Sequence, residues 1–306
     1  MYETHFGLRR RPFRATPDST CYYPATAHER ALDRLLAALA GGEGLVLLTG
    51  EPGTGKTLLC HCLLERLGSS VTSAFLTHGR FGSPAGLFQS ILYDLSLPYQ
   101  GRTEHDFRLA LSDFLLVNYA GGKTTVLVVD EAHHLGPELL EELRLLGNLE
   151  ARRGKALQVI LAAQPSLFAT LSRPELASLN QRLMVRTAVE PMNVQEAADY
   201  LLHQLRLAGG TPQDVLVPEA LEVLARGTRG VPRLLNQAAH QALALAASAG
   251  ARPADAEAAL EALAQLGLDA SADETGEGDA VGPTEDPAAL PEADHSEWRL
   301  TVPRPA

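Results

Sequence analysis

Cysteine, aromatic residues and long apolar runs are all scarce in this 306-residue sequence. The three cysteines, Cys21, Cys60 and Cys62, form no CxxC pair, and neighbouring positions on one predicted helix cannot converge on a metal ion. No run approaches the roughly 18 apolar residues that a membrane-spanning helix needs. The first 14 residues are followed by no apolar stretch of the signal-peptide kind. We therefore expect reduced cysteines, no membrane span and a cytoplasmic location.

Negative charge is concentrated at the C-terminal end. The net charge is -11, and residues 269–306, with ten acidic and two basic side chains, carry eight of those charges. The preceding 268 residues hold 24 basic and 27 acidic side chains, so overall acidity neither favours nor excludes a nucleic-acid partner. Residues 268–306 have too few apolar side chains to form a core, which predicts a disordered acidic tail. Trp298 within it is either a docking residue for a partner or a stray aromatic.

Apolar runs of strand length alternate with helical periodicity up to residue 191. A run without polar alternation is typical of a strand covered on both faces. Such runs predict strands at 45–49, 71–76, 125–129, 157–163 and 185–189. Helical spacing of apolar residues predicts helices at 27–39, 58–67, 87–95, 107–119 and 139–149. Because strands alternate with helices, we predict an α/β fold with a five-stranded parallel sheet and helices on both faces.

Strand-like runs disappear after residue 191. From there the sequence predicts helices at 194–208, 218–226, 231–249 and 253–266. We expect four regions along the chain: an irregular N-terminal segment at 1–26, an α/β nucleotide-binding core at 27–191, a small all-helical lid domain at 192–267 and the tail at 268–306.

A glycine-rich loop joins the first predicted strand to the next helix, as the phosphate-binding pattern G-x-x-x-x-G-K-[ST] requires. Backbone N–H groups of such a loop surround phosphate, while Lys56 reaches the β- and γ-phosphates and Thr57 binds Mg²⁺. A glycine-rich turn without a ligand is the alternative. The predicted ATP-binding residues are Gly50, Glu51, Pro52, Gly53, Thr54, Gly55, Lys56, Thr57 and Leu58.

Two adjacent carboxylates follow the third predicted strand. Asp130 and Glu131 come directly after the apolar run 126–129, so they lie at the edge of the sheet that also carries the phosphate-binding loop. We expect Asp130 to hold Mg²⁺ together with Thr57, and Glu131 to act as the base that orients the attacking water. The alternative is that the pair caps a helix.

Four more polar residues are candidates for the same chemistry. If the fourth strand lies between the carboxylate strand and the loop strand, Gln164 at its end reaches the γ-phosphate; otherwise it merely ends a strand. Arg182 and Arg186 flank the fifth strand, either as surface charges or as ligands of phosphate. Arg233 opens a helix, where a cation is poorly placed for the helix dipole and an external anion such as phosphate is favoured.

A series of short motifs runs in order through residues 1–266. They are Met1-Tyr2, Phe6-Gly7-Leu8, Pro12-Phe13, Pro17-Asp18, Tyr23, His28-Glu29-Arg30-Ala31-Leu32, Leu47-Leu48-Thr49-Gly50-Glu51, Gln164-Pro165-Ser166-Leu167, Gln181-Arg182-Leu183 and Gly230-Val231-Pro232-Arg233-Leu234-Leu235-Asn236. The series resembles the general secretion pathway A family of AAA+ ATPases. The resemblance implies ATP and Mg²⁺ as cofactors and a homo-oligomeric ring or filament. It also implies that Gln164 is sensor 1, Arg182 the arginine finger for a neighbouring subunit's ATP and Arg233 sensor 2.

The sequence departs from the family's pattern at two points. Members typically read Asp-Glu-Ala-Gln where this chain has His133, so no role of that side chain is carried over. Secretion members continue into a membrane helix and a periplasmic peptidoglycan-binding domain, and neither is expected here. The expected location is the cytoplasm, with peripheral association at the inner membrane as a second option.

Three functions remain open from the sequence. The first is a Mg-dependent ATPase that drives or regulates assembly of a secretion, pilus or exopolysaccharide envelope system, with a protein of that system as partner. The second is a DNA-associated ATPase of the transposition-helper type, for which Arg9, Arg10, Arg11 and Arg14 are either DNA contacts or a solvated terminus. The third is a slowly hydrolysing scaffold that signals through its tail.

Overall fold

Seven strands form two sheets in the computed structural model, which describes residues 2–101, 103–151 and 154–268. The strands are β1 (Leu45–Thr49), β2 (Val71–Leu76), β3 (Thr124–Val129), β4 (Glu150–Ala151), β5 (Gly154–Lys155), β6 (Leu157–Ala163) and β7 (Val185–Ala188). Five of them form a parallel sheet in the order β2-β3-β6-β1-β7, and β4 and β5 form a small antiparallel hairpin. The predicted five-stranded parallel sheet is confirmed, with every strand end within one residue of its expected position.

Twelve helices are found among the described residues. They are α1 (Tyr2–His5), α2 (Thr26–Ala40), α3 (Lys56–Leu67), α4 (Pro84–Asp94), α5 (Glu104–Ala120), α6 (Pro137–Leu146), α7 (Leu167–Leu171), α8 (Ala177–Arg182), α9 (Val194–Leu207), α10 (Pro218–Gly227), α11 (Pro232–Ser248) and α12 (Ala256–Gln265). The short helices α7 and α8 were not predicted, because neither is long enough to show a helical repeat in the sequence.

Both faces of the parallel sheet are covered, which explains why its strands are apolar at every position. In β1, Leu45 and Leu47 pack into the apolar cluster that α4, α5 and α6 form on one face. Val46 and Leu48, which point the opposite way, pack into the cluster that α2 and α3 form on the other face.

Strand order brings the predicted site residues to one edge of the sheet. Strand β6 lies between β3 and β1, with Val129 beside Leu161 and Ala163 beside Thr49. Because all these strands are parallel, the loop after β1, the carboxylates after β3 and the residue after β6 emerge at the same carboxyl edge. This arrangement is the one on which the expected role of Gln164 depends.

The chain's first residues pack against its last helices. Tyr2, Phe6 and Phe13 are buried in the apolar cluster of α9 to α12, and the Arg9 N–H donates to the Ala208 carbonyl at 2.8 Å. The N-terminal segment, which was predicted to be irregular, contains α1 and a 3-10 turn at Ser19–Cys21. Its apolar side chains anchor it to the helical region.

No helix in the described part of the chain is long and apolar enough to cross a membrane. All three cysteines are free, and Cys60 and Cys62 are buried in the apolar cluster beside α2 and α3. The predicted acidic tail, including Trp298, lies outside the described residues apart from Leu268.

Candidate functional site

The loop between β1 and α3 has the backbone conformation of a phosphate-binding turn. Gly53 and Gly55 adopt left-handed conformations with φ of +87° and +99°, which side chains other than glycine rarely tolerate. At Gly50 a Cβ atom would lie 2.7 Å from the Val189 carbonyl oxygen, so the turn also requires glycine for space. Helix α3 begins at Lys56, and its first N–H groups face the curl of the loop.

Lys56 lies folded against this loop and is 6% exposed. Its ammonium donates hydrogen bonds to the carbonyl oxygens of Gly50 at 2.7 Å and Glu51 at 2.9 Å. Burial lowers the pKa of Lys56, and the nearby carboxylates of Glu131 and Asp130 oppose that shift by favouring the charged form. The loop thus holds a buried cation where the pattern predicts that phosphate oxygens bind.

His28 on α2 supports the loop from behind. Burial lowers the pKa of His28, so the ring is neutral at neutral pH, and its Nε2–H donates to the Thr54 carbonyl at 2.7 Å. A Cβ atom on Gly55 would come within 3.1 Å of the same ring nitrogen. His28 was assigned no role from the sequence beyond the motif that contains it.

Asp130 and Thr57 are brought together by β3 and α3. The Thr57 hydroxyl donates to Asp130 Oδ2 at 2.5 Å, while Asp130 Oδ1 accepts the Glu131 N–H at 2.9 Å. The Asp130 N–H donates to the Leu76 carbonyl at 2.8 Å, which fixes the backbone at this point. Mg²⁺ prefers oxygen ligands of this kind, so the two side chains predicted as ligands, from separate elements, fit that ion.

Glu131 has a strained backbone conformation, and Gly79 packs closely against its carbonyl oxygen. Its φ of 52° is in the left-handed region, which is uncommon for a residue with a side chain. A Cβ atom on Gly79 would lie 2.5 Å from the Glu131 carbonyl oxygen, so this approach is open only to glycine. The Glu131 side chain is 38% exposed and lines the same cavity as Lys56.

His133 connects Glu131 to the residue after β6. Its Nε2 lies 3.4 Å from Glu131 Oε2, and its Nδ1 lies 3.4 Å from the backbone nitrogen of Gln164, which donates. Burial lowers the pKa of His133, and the neighbouring His134 adds to this effect. Gln164 itself lines the cavity with Lys56 and Glu131.

Arg233 reaches the cavity from the helical region. The Arg233 N–H donates to the Gly53 carbonyl at 3.2 Å, and its exposed side chain lines the cavity. The turn before it depends on Gly230, which has φ of +68° and whose Cβ, if present, would lie 1.7 Å from the Met192 carbonyl oxygen. The N-terminal end of α11 is thereby held directly against the phosphate-binding loop.

Arg182 and Arg186 lie away from this cavity. Arg182 lines a second, smaller cavity of about 240 Å³ with Gly44 and Leu45, at the start of β1 and therefore at the opposite edge of the sheet. The Arg186 guanidinium donates to the carbonyl oxygens of Asn180 and Leu183 and to the Asn180 side chain. Both arginine side chains are exposed, and they differ in that Arg186 is hydrogen-bonded to its own turn.

The main cavity has a volume of about 690 Å³, within the range of small-molecule sites. One wall is the N-terminal segment, including Arg11, Arg14 and Tyr23, which was not predicted to contribute. The Arg14 guanidinium lies 3.2 Å from the Asp18 carboxylate, and the Arg11 guanidinium donates to the Phe13 carbonyl. No local sequence pattern signals that this segment forms a cavity wall, because its packing against the last helices places it there.

Comparisons with known proteins show which families the sequence and the fold resemble. Residues 39–171 match the AAA domain. General secretion pathway protein A of Aeromonas hydrophila is 39% identical over 255 residues, which is 82% of this chain and 46% of that protein. The chain thus spans about half the length of this relative.

Two more distant similarities concern the fold. The Holliday junction branch migration complex subunit RuvB of Chlorobium luteolum is 25% identical over 80% of this chain and 66% of that protein. The structure of the Aeropyrum pernix ORC2 protein in ADPNP and ADP complexes has a TM-score of 0.65 at 18% identity, covering 85% of this chain and 72% of that one. At this identity the structural likeness establishes the fold alone.

Proposed function

This chain belongs to the AAA+ family of P-loop ATPases, and on that premise we propose that it binds Mg·ATP and hydrolyses it to ADP and phosphate. The observation that carries the proposal is the convergence of Lys56, Thr57 and Glu131 on one cavity, with Asp130 hydrogen-bonded to Thr57. A phosphate chain is the ligand that such a loop, helix N-terminus and buried cation suit.

Each residue has a defined part in the proposed reaction. Lys56 and the loop N–H groups bind the phosphates, and Thr57 and Asp130 would hold Mg²⁺, which neutralises phosphate charge when bound. Glu131 accepts a hydrogen bond from the attacking water and orients it. Gln164 and Arg233 line the same cavity and stabilise the charge that develops on the transferred phosphate.

The proposed biological role rests on the likeness to general secretion pathway protein A. We propose that ATP turnover drives or regulates assembly of a secretion, pilus or other envelope system through a protein partner. The proposed location is the cytoplasmic side of the inner membrane, by peripheral contact with that partner. A homo-oligomer is part of the proposal, because the exposed Arg182 lies at the edge of the sheet opposite its own ATP site.

The test separates nucleotide binding from hydrolysis. Lys56→Ala should abolish binding of a fluorescent ATP analogue, because the loop loses its buried cation. Glu131→Gln should bind ATP normally but turn over at least about 100-fold more slowly, because the amide keeps the shape and loses the base. Glu138→Gln, an exposed change on the following helix, is the matched control and should behave like the parent. Parent-like turnover in Glu131→Gln would show that the carboxylate is misassigned.

DNA association is the competing function, and it has a separate test. Arg10, Arg11 and Arg14 each contact atoms within their own N-terminal segment, which does not favour a dedicated DNA surface. We therefore expect no gel shift of duplex DNA at about 150 mM salt, where weak phosphate contacts are screened. A DNA gel shift that weakens steeply with salt and is lost when these arginines are changed to alanine would support the transposition-helper hypothesis instead.

A further inference from the structure

The imidazole of His133 occupies a defined position between two elements of the proposed site. His133 belongs to the 3-10 turn Ala132–His134, which follows β3 directly, and its side chain is 8% exposed. One ring nitrogen faces the Glu131 carboxylate, and the other faces the backbone N–H of Gln164 at the end of β6. These two contacts join residues that are 33 positions apart in sequence and that follow adjacent strands.

The contacts determine which nitrogen of the ring carries the proton. A backbone N–H can only donate, so the Nδ1 that faces Gln164 must offer its lone pair. Burial lowers the pKa of His133, which keeps the ring neutral at neutral pH. A neutral imidazole with a free Nδ1 lone pair carries its single hydrogen on Nε2, and this nitrogen lies 3.4 Å from Glu131 Oε2.

The Glu131 carboxylate needs an orienting partner. Its side chain is 38% exposed, and no lysine or arginine of the described residues forms an ion pair with it. Its backbone is held by the close approach of Gly79, but that contact fixes only the main chain. A base that orients water has to be held within a fraction of an ångström of its working position, because small misplacements are costly to rate.

We propose that His133 is a positioning residue for Glu131, holding the carboxylate through Nε2–H while Nδ1 ties it to the main chain of Gln164. The inference rests on the proposed ATP hydrolysis and deepens it. Through this link the proposed base after β3 and the proposed γ-phosphate contact after β6 are positioned by one side chain.

A metal site is the alternative use of the same side chains. Potential ligand atoms of Glu131, His133 and His134 lie within 4.8 Å of one another. Binding a cation such as Zn²⁺ through His133 Nε2 requires a lone pair there, whereas the contact with the Gln164 N–H places the ring hydrogen on that nitrogen. The hydrogen-bond pattern therefore favours positioning of the carboxylate over metal ligation.

The test compares two replacements of His133 in the full-length chain. His133→Phe keeps the ring volume and removes both polar atoms, so kcat should fall about 10- to 100-fold while KM for Mg·ATP and analogue binding stay near parent values. His133→Gln supplies a carbonyl acceptor and an N–H donor on one group, and it should recover kcat to within about threefold of the parent. His134→Phe alters the adjacent, exposed ring and should leave kcat within about twofold.

The outcomes distinguish this inference from the proposed function. Parent kcat in His133→Phe, in a parent protein that hydrolyses ATP, overturns the positioning role and leaves the ATPase assignment standing. Equal loss in the Phe and Gln variants, or a rise in KM with kcat unchanged, overturns it in favour of a structural role. Activation of the parent by a zinc-selective chelator that disappears in His134→Phe overturns it in favour of the metal site. A parent that binds but never hydrolyses ATP removes the proposed function and this inference together.

Discussion

Charged side chains of the proposed site are buried at the carboxyl edge of the parallel sheet, whereas Arg182 at the amino edge is exposed. At the carboxyl edge, Lys56 is 6% exposed and Asp130 is 3% exposed, and both are held by short hydrogen bonds to the chain itself. At the amino edge, the Arg182 side chain is exposed; among residues 2–101, 103–151 and 154–268 its charge acts on the Glu141 carboxylate without forming a hydrogen bond or a close ion pair. The buried groups at the carboxyl edge, here called the enclosed edge, suit phosphate binding within one chain. The amino edge, here called the open edge, carries the exposed Arg182 guanidinium, which another molecule can contact.

The largest effect should come from removing the exposed cation. Arg182→Ala should lower turnover by roughly 1000-fold with nucleotide binding retained, because an arginine that reaches into a neighbouring site stabilises transition-state charge. The measurement is steady-state hydrolysis beside analogue binding at a concentration where the parent is oligomeric.

Arg186→Ala is the matched control for that change. Its guanidinium holds the turn of Asn180 and Leu183, so we expect a lower melting temperature and near-parent turnover of the folded protein. Loss of turnover in Arg186→Ala with parent turnover in Arg182→Ala would assign the finger to Arg186.

A smaller effect should come from adding a side-chain atom beside Glu131 at the enclosed edge. Gly79→Ala places a Cβ atom 2.5 Å from the Glu131 carbonyl oxygen, and it should shift the base and lower kcat about 10- to 100-fold with binding retained. Gly82→Ala is the control on the same loop, because nothing lies within 4 Å of its added Cβ atom. Equal kcat for the two alanine variants would mean that the strained backbone of Glu131 has no part in catalysis.

The strands, and the residues that directly follow them, were predictable from local sequence patterns. Strand positions followed from continuous apolar runs, which β1, β3 and β6 show because each is buried on both faces. The loop from Gly50 to Thr57 follows a local pattern that ties glycines to a backbone shape, so its residues were found by spacing alone. Asp130, Glu131 and Gln164 were located because they follow such strands directly.

The contacts that organise the site were not predictable in this way. The approach of Gly79 to Glu131 and the link from His133 to Gln164 join residues far apart in sequence, and neither leaves a periodic signal. The same holds for His28 behind the loop and for the N-terminal segment as a cavity wall. Local pattern identifies which residue types are present, whereas strand order and packing decide which of them touch.

The smallest effect should come from removing the acidic tail. A chain ending at Leu268 should turn over ATP within about twofold of the parent, because the cavity-lining residues in the described part of the chain all precede that point. If Trp298 docks a partner, capture of that partner should be lost while turnover is kept. Loss of turnover in a truncated protein that remains folded by circular dichroism would contradict the prediction.

The most direct test of the contrast between the two edges mixes two inactive variants, Arg182→Ala and Lys56→Ala. The Lys56 variant keeps an intact arginine at its open edge, and the Arg182 variant keeps an intact enclosed ATP site. If the finger acts between subunits, an interface that joins these two halves should regain part of the parent turnover, with a maximum near equal amounts of the two chains. No recovery at concentrations where mixed oligomers are shown to form would contradict the account.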